Sequence, residues 1–85
     1  MISGFLVRHD GALISIDHII WIELYKEGKF KVNGIEVGPE SGYCDIVIHM
    51  IEGQRVVWNK EPRRQPEAIA LLRELAQLVR KAIEL

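Results

Sequence analysis

The stretch Phe30-Lys31-Val32-Asn33-Gly34-Ile35-Glu36-Val37 decides the fold class. Asn-Gly between two alternating runs signals a two-residue hairpin turn, which needs positive φ at both central positions. That turn sets Val32 opposite Ile35 and Phe30 opposite Val37 on one face. It sets Lys31 opposite Glu36 on the other, a favourable cross-strand charge pair.

Working outward, three more turns carry the same kind of signal. Asp10-Gly11, taken as a two-residue turn, places Phe5 opposite Ile16 and Val7 opposite Ile14. Lys26-Glu27-Gly28 and Ile51-Glu52-Gly53 both end in glycine, which suits three-residue loops with glycine in the left-handed region. The first aligns Leu24 with Phe30 and Ile22 with Val32; the second aligns Ile48 with Val56 and Ile46 with Trp58. A one-residue slip would turn the opposite face of each strand inward, so the registers that gather apolar side chains are preferred. Strands are predicted near 2–8, 12–16, 19–25, 29–33, 35–38, 43–51 and 54–59, with a corner at Asp17-His18. Pro39 cannot donate to a ladder, so Gly38–Gly42 is a loop.

Residues 60–65 read as a polar linker. Pro66 suits the first helical position and Glu67 the positive end of the helix dipole, so a helix is predicted over 66–84. Ala68, Leu71, Leu72, Leu75, Leu78, Val79, Ala82, Ile83 and Leu85 share one side at 100° per residue, with Ile69 and Ala76 extending it. Arg73, Gln77, Arg80, Lys81 and Glu84 share the other. The apolar arc spans roughly 200°, against a stripe of about 100° on an ordinary surface helix. Either the sheet curls around the helix or a second copy covers the remainder.

The chain has 85 residues, 48% apolar and 27% charged, with 11 basic and 12 acidic side chains and a net charge of −1. That composition fits one globular domain over 1–85, and the near-neutral balance removes the electrostatic case for a dedicated nucleic-acid binder. The single cysteine, Cys44, excludes an internal disulfide, a four-cysteine zinc site and an iron–sulfur cluster within one chain. Met1-Ile2-Ser3-Gly4 does not resemble a secretory signal, and no apolar run approaches the roughly 20 residues that span a bilayer. A reduced cytoplasmic setting with no membrane contact is the expectation. A chain of this size buries only about 60–65% of its unfolded surface, so tight packing or sharing surface with a copy is required.

No catalytic, cofactor or metal constellation assembles from the spacings. His9-Asp10 and Asp17-His18 lie at opposite ends of one strand stretch, about 23 Å apart at the usual rise. Asp45 and His49 share a strand face but stand about 13 Å apart. Ser3, Ser15 and Ser41 lack a nucleophile setting. Cys44 alternates in step with Ile46, Ile48 and Met50, which reads as a buried apolar cysteine. The chain is therefore not expected to be an enzyme.

Two surfaces remain as candidates. Trp21, Glu23 and Tyr25 alternate with Ile20, Ile22 and Leu24 and so share the face away from them; exposed aromatics around a carboxylate suit a protein contact. The competing reading packs that face under the other half of a curled sheet, and the exposure of Trp21 discriminates. The second surface is the surplus helix arc, marked by Leu71, Leu78 and Leu85. Arg55, Lys60, Arg63 and Arg64 are the basic residues available to a nucleic acid, but Glu61 and Glu67 reduce the net charge of 60–67 to +1.

A meander of about seven short strands closed by one C-terminal helix resembles the pleckstrin-homology-like superfold in element order. That resemblance implies a strongly twisted sheet or partly open barrel capped by the helix. It does not extend to lipid headgroups, because Arg8, His9 and Asp10 stand where phosphoinositide-binding members carry several basic residues. Asp17-His18-Ile19-Ile20-Trp21-Ile22-Glu23 resembles an Asp-x-Ile-x-x-Ile-Glu strand pattern of small FlbD-type bacterial proteins, which carries no activity with it. The expected fold is α+β: an antiparallel β-meander of six or seven short strands, then one C-terminal α-helix packed on the sheet. The expected role is a small cytoplasmic protein-interaction or regulatory module that forms a homodimer. The alternatives are a weak nucleic-acid-binding regulator and a binder of a small apolar ligand between sheet and helix.

Overall fold

The computed structural model describes residues 4–84. The strands are β1 (Phe5–Val7), β2 (Leu13–Ser15), β3 (Ile19–Tyr25), β4 (Phe30–Val32), β5 (Ile35–Val37), β6 (Tyr43–Met50), β7 (Arg55–Val57) and β8 (Arg63–Arg64). One helix, α1 (Gln65–Glu84), follows and packs on the sheet. All ladders are antiparallel. They form a central β3-β6-β7 sheet with β8 also on β6, flanked by the separate hairpins β1-β2 and β4-β5, and among the described residues they close no barrel.

Strand β6 is the spine. Its alternate residues Cys44, Ile46, Ile48 and Met50 are all buried. Ile48 faces Ile22 on one side and Val56 on the other, and Ile46 faces Leu24. Leu75 from α1 joins Ile46, Ile48 and Met50, with Leu6, Ile14 and Ile16 from the first hairpin, in one cluster. Ile46, Ile48 and Leu75 have no exposed surface, so side chains fill the space between sheet and helix around them.

The Asn33-Gly34 hairpin has the predicted register, with Asn33 at φ 52° and Gly34 at φ 80°. Glu36 reaches Lys29 at 3.8 Å rather than Lys31 directly opposite. The Ile51-Glu52-Gly53 loop also aligns Ile48 with Val56, and the Trp58 amide donates to the Ile46 carbonyl at 2.8 Å.

The first hairpin differs by one residue. Its loop is His9-Asp10-Gly11, closed by the Arg8 amide donating to the Ala12 carbonyl at 2.9 Å, with Gly11 left-handed at φ 86°. Asp10 Oδ1 accepts from the Ala12 amide at 3.1 Å, and that bond holds the Asp10 carboxyl below its ordinary range. Phe5 therefore faces Ser15, Leu6 faces Ile14 and Val7 faces Leu13. The slip inverts β1. Leu6 and Ile14 enter the core, while Phe5, Val7 and Leu13 stand 60–64% exposed.

Three further expectations are corrected. Among the described residues no ladder joins β3 to β4, so Leu24 does not face Phe30 nor Ile22 face Val32. The chain crosses the Tyr25 ring at Gly28 so closely that a β-carbon there would lie 2.7 Å from a ring atom, and Phe30 meets Tyr25 edge-on. Ile20 is not a core residue: the register shifts between Ile19 and Trp21, and Ile20 is left 63% exposed at the bulge. The linker 60–65 is partly ordered into β8, which pairs Arg64 with Tyr43 and Arg63 with Cys44. Its anchor is Asn59, the one buried polar residue among those described. The Asn59 side chain accepts from the Ile46 amide at 2.7 Å and donates to Asp45 at 2.9 Å and to the Glu61 carbonyl at 2.6 Å. It serves β6 as a short piece of strand would, meeting a backbone donor that burial would otherwise orphan.

On α1, Ala68 and Leu75 are buried, and Leu71, Leu72, Val79 and Ala82 are partly buried against the core. Leu78 falls outside this stripe at 49% exposure, and Ala76 is exposed. The radius of gyration, 13.5 Å, exceeds the roughly 12 Å of a compact chain of this length.

Candidate interaction surface

The helix covers one face of the β3-β6-β7 sheet, and the other face carries Trp21, Glu23 and Tyr25 as predicted. The register places His49 opposite Trp21, Val47 opposite Glu23 and Asp45 opposite Tyr25. Arg55 and Val57 complete the face opposite His49 and Val47. Alternation along β6 forces this set: with Ile46 and Ile48 in the core, Asp45, Val47 and His49 must point the other way.

These side chains are braced against one another. The Trp21 and His49 rings stack in parallel, 4.0 Å between centroids and 3° between planes. His49 Nε2 lies 3.0 Å from Glu23 Oε1, within hydrogen-bond distance. The Arg55 guanidinium lies 5.5 Å from the centre of the Tyr25 ring. At the centre, Val47 is 2% exposed, while Trp21 keeps half its surface open at 50%. Among the described residues no second half of the sheet lies over Trp21.

The remaining candidates are dispersed. Leu71 packs on the core, Leu78 is exposed, and Leu85 lies outside the described residues. Arg55 faces His49 near one end of β6, while Arg63 faces Cys44 near the other. Five residues of strand, about 17 Å, separate those backbone positions, while the Arg55 guanidinium reaches back over the Tyr25 ring beside Asp45. Arg63 reaches Glu67 at 3.8 Å, and Arg64 lies over the Tyr43 ring at 5.5 Å. Lys60 is exposed in the bend after Asn59.

Cys44 is buried, and burial pushes its thiol above the ordinary value of 9.0. A thiol in that state is a poor nucleophile at neutral pH. Among the described residues no group of three His, Cys, Asp or Glu side chains is placed to hold a metal ion, and no helix is long and apolar enough to cross a membrane.

His49, Arg55 and Asn59 have roles that the spacings did not show. His49 is 26 residues from Glu23 in sequence, and Asn59 is 13 from Ile46. The alternation of β6 already put His49 on the outer face. Only the β3–β6 pairing says which aromatic it meets there. In comparisons with protein-family models, curated proteins and solved structures, nothing matches this chain.

Proposed function

We propose that this chain is a small protein-interaction or regulatory module, working in the cytoplasm, that takes a protein partner on the outer face of the β3-β6-β7 sheet with Trp21 as the anchor. The observation that carries the proposal is the half-open Trp21 indole held flat on His49, which is itself held by Glu23. An aromatic already immobilised in the free state loses little side-chain entropy on binding, and tryptophan is the residue most enriched at interface hot spots. Arg55 on Tyr25 supplies an aromatic–cation contact on the same face.

A protein fits this face better than a nucleic acid. Glu23 and Asp45 stand among the aromatics, and Arg63 is drawn off to Glu67. A phosphate backbone needs sustained positive surface, which this face lacks. Binding rather than catalysis is the role that such a braced aromatic and charged platform supports.

The test places a photoreactive benzoylphenylalanine at position 21 in cells that make the protein, with a matched probe at Glu52 on the exposed β6–β7 turn. The expected result is a discrete adduct with another polypeptide from position 21 only, lost in the Tyr25→Ala, Arg55→Ala double variant. No adduct beyond the Glu52 background, or adducts to nucleic acid alone, would overturn the proposal.

A further inference from the structure

The outer side of α1, on the far side of the molecule from Trp21, carries an exposed leucine in a symmetric charge setting. An open groove of about 390 Å³ runs along it, lined by Arg73, Glu74, Gln77, Leu78 and Lys81. At 100° per residue, Glu74, Leu78 and Lys81 fall within roughly 60° of one another, a single stripe along the helix. Leu78 is 49% exposed. Among the described residues, neither Glu74 nor Lys81 has an ion-pair partner on its own chain.

We propose that this stripe is a homodimer interface in which the α1 helices of two copies pair antiparallel about a twofold axis beside Leu78, with Glu74 of each copy facing Lys81 of the other. The charge pattern selects the occupant and the direction. Glu74 and Lys81 are seven residues apart, about 10.5 Å along the axis, and their midpoint falls between Gln77 and Leu78. A twofold axis at that midpoint brings each carboxylate level with an ammonium, twice, and lays the two leucines side by side. Parallel helices would instead oppose Glu74 to Glu74 and Lys81 to Lys81. An isologous contact requires a self-complementary patch, and this stripe is one. A single helix pair lies at the small, transient end of interface sizes, so association belongs at micromolar protein and above. The inference goes beyond the Trp21 platform and does not depend on it.

Sedimentation equilibrium of the full chain from micromolar to millimolar protein tests the pairing. The wild type should show a monomer–dimer equilibrium, and Leu78→Lys should remove it. Glu74→Lys and Lys81→Glu should each weaken it about tenfold, because an exposed pair is worth a factor of a few and the twofold axis counts it twice. The charge-swapped double variant Glu74→Lys, Lys81→Glu should associate as the wild type does. Leu78, Glu74 and Lys81 are all exposed, so helical content by circular dichroism should not change, and Leu78→Ala serves as the milder variant. A monomeric wild type, or a double variant no better than the singles, would refute the pairing. Association unaffected at Leu78 but lost in Val7→Lys would place the contact on the exposed Phe5, Val7 and Leu13 patch instead, and would also refute it.

Discussion

The two faces of the β3-β6-β7 sheet are built from alternate residues of the same strands, yet they do different work. The inner face is aliphatic and closed: Ile46, Ile48 and Leu75 have no exposed surface. The outer face is aromatic and charged, and its centre, Val47, is closed while its margin at Trp21 is open. The inner contacts have no specific geometry beyond close packing. The outer ones are pairwise and directional: a ring stack, a hydrogen-bonded imidazole–carboxylate pair and a guanidinium over a ring. The difference teaches that close aliphatic packing is confined to one side of β6 and directional, partly open contacts to the other.

Substitutions can break that contrast, and the largest effect belongs inside. Leu75→Ala should destabilise the fold by about 2–5 kcal/mol in urea unfolding, from lost burial and the cavity left behind. Next comes Asn59→Ala. It strips the buried Ile46 amide of its acceptor and should cost about 1–3 kcal/mol. Asn59→Asp sharpens the point, because it keeps the acceptor but sets a second carboxylate beside Asp45. Its stability should therefore rise on mild acidification relative to the wild type, as one of the two carboxylates takes up a proton.

On the outer face, Trp21→Ala should change the unfolding free energy by about 1–2 kcal/mol, the worth of a ring stack and a half-buried indole, while abolishing the crosslink from a benzoylphenylalanine placed instead at Val57 on the same face. A loss comparable with that of Leu75→Ala would show that the outer face is structural and would erase the contrast. The smallest effect concerns Cys44. Its folded thiol holds its proton to higher pH than the unfolded thiol, so its share of stability is complete below pH 9.0 and declines as pH rises beyond that. The urea midpoint of the wild type should fall more steeply above pH 9.0 than that of Cys44→Ala; parallel curves would contradict the assignment.

Much of the fold was legible from local patterns. The alternation of Cys44, Ile46, Ile48 and Met50, and the Asn33-Gly34 turn, each state their own geometry within a few residues. The two turns Asp10-Gly11 and Asn33-Gly34 show the limit. Asn33 takes the positive φ that a two-residue turn needs, whereas Asp10 uses its carboxylate to accept the Ala12 amide and leaves only Gly11 left-handed. The dipeptides look alike, and a one-residue difference in loop length reverses which side of β1 is buried. Trp21, Glu23 and Tyr25 were legible as a face, but the stack on His49 was not, since it joins strands far apart in sequence.

What the amino-acid sequence determined by itself is the kind of most elements and the sidedness of β6, because side-chain period and turn chemistry act over a few residues. Only the tertiary structure decided which strand lies beside β6, which side of the first hairpin meets α1, and that Leu78 stays outside. Those outcomes depend on competition among many apolar residues for one small core. That competition is settled by the summed packing of Leu6, Ile14, Ile16, Ile46, Ile48 and Leu75, and no local preference encodes it.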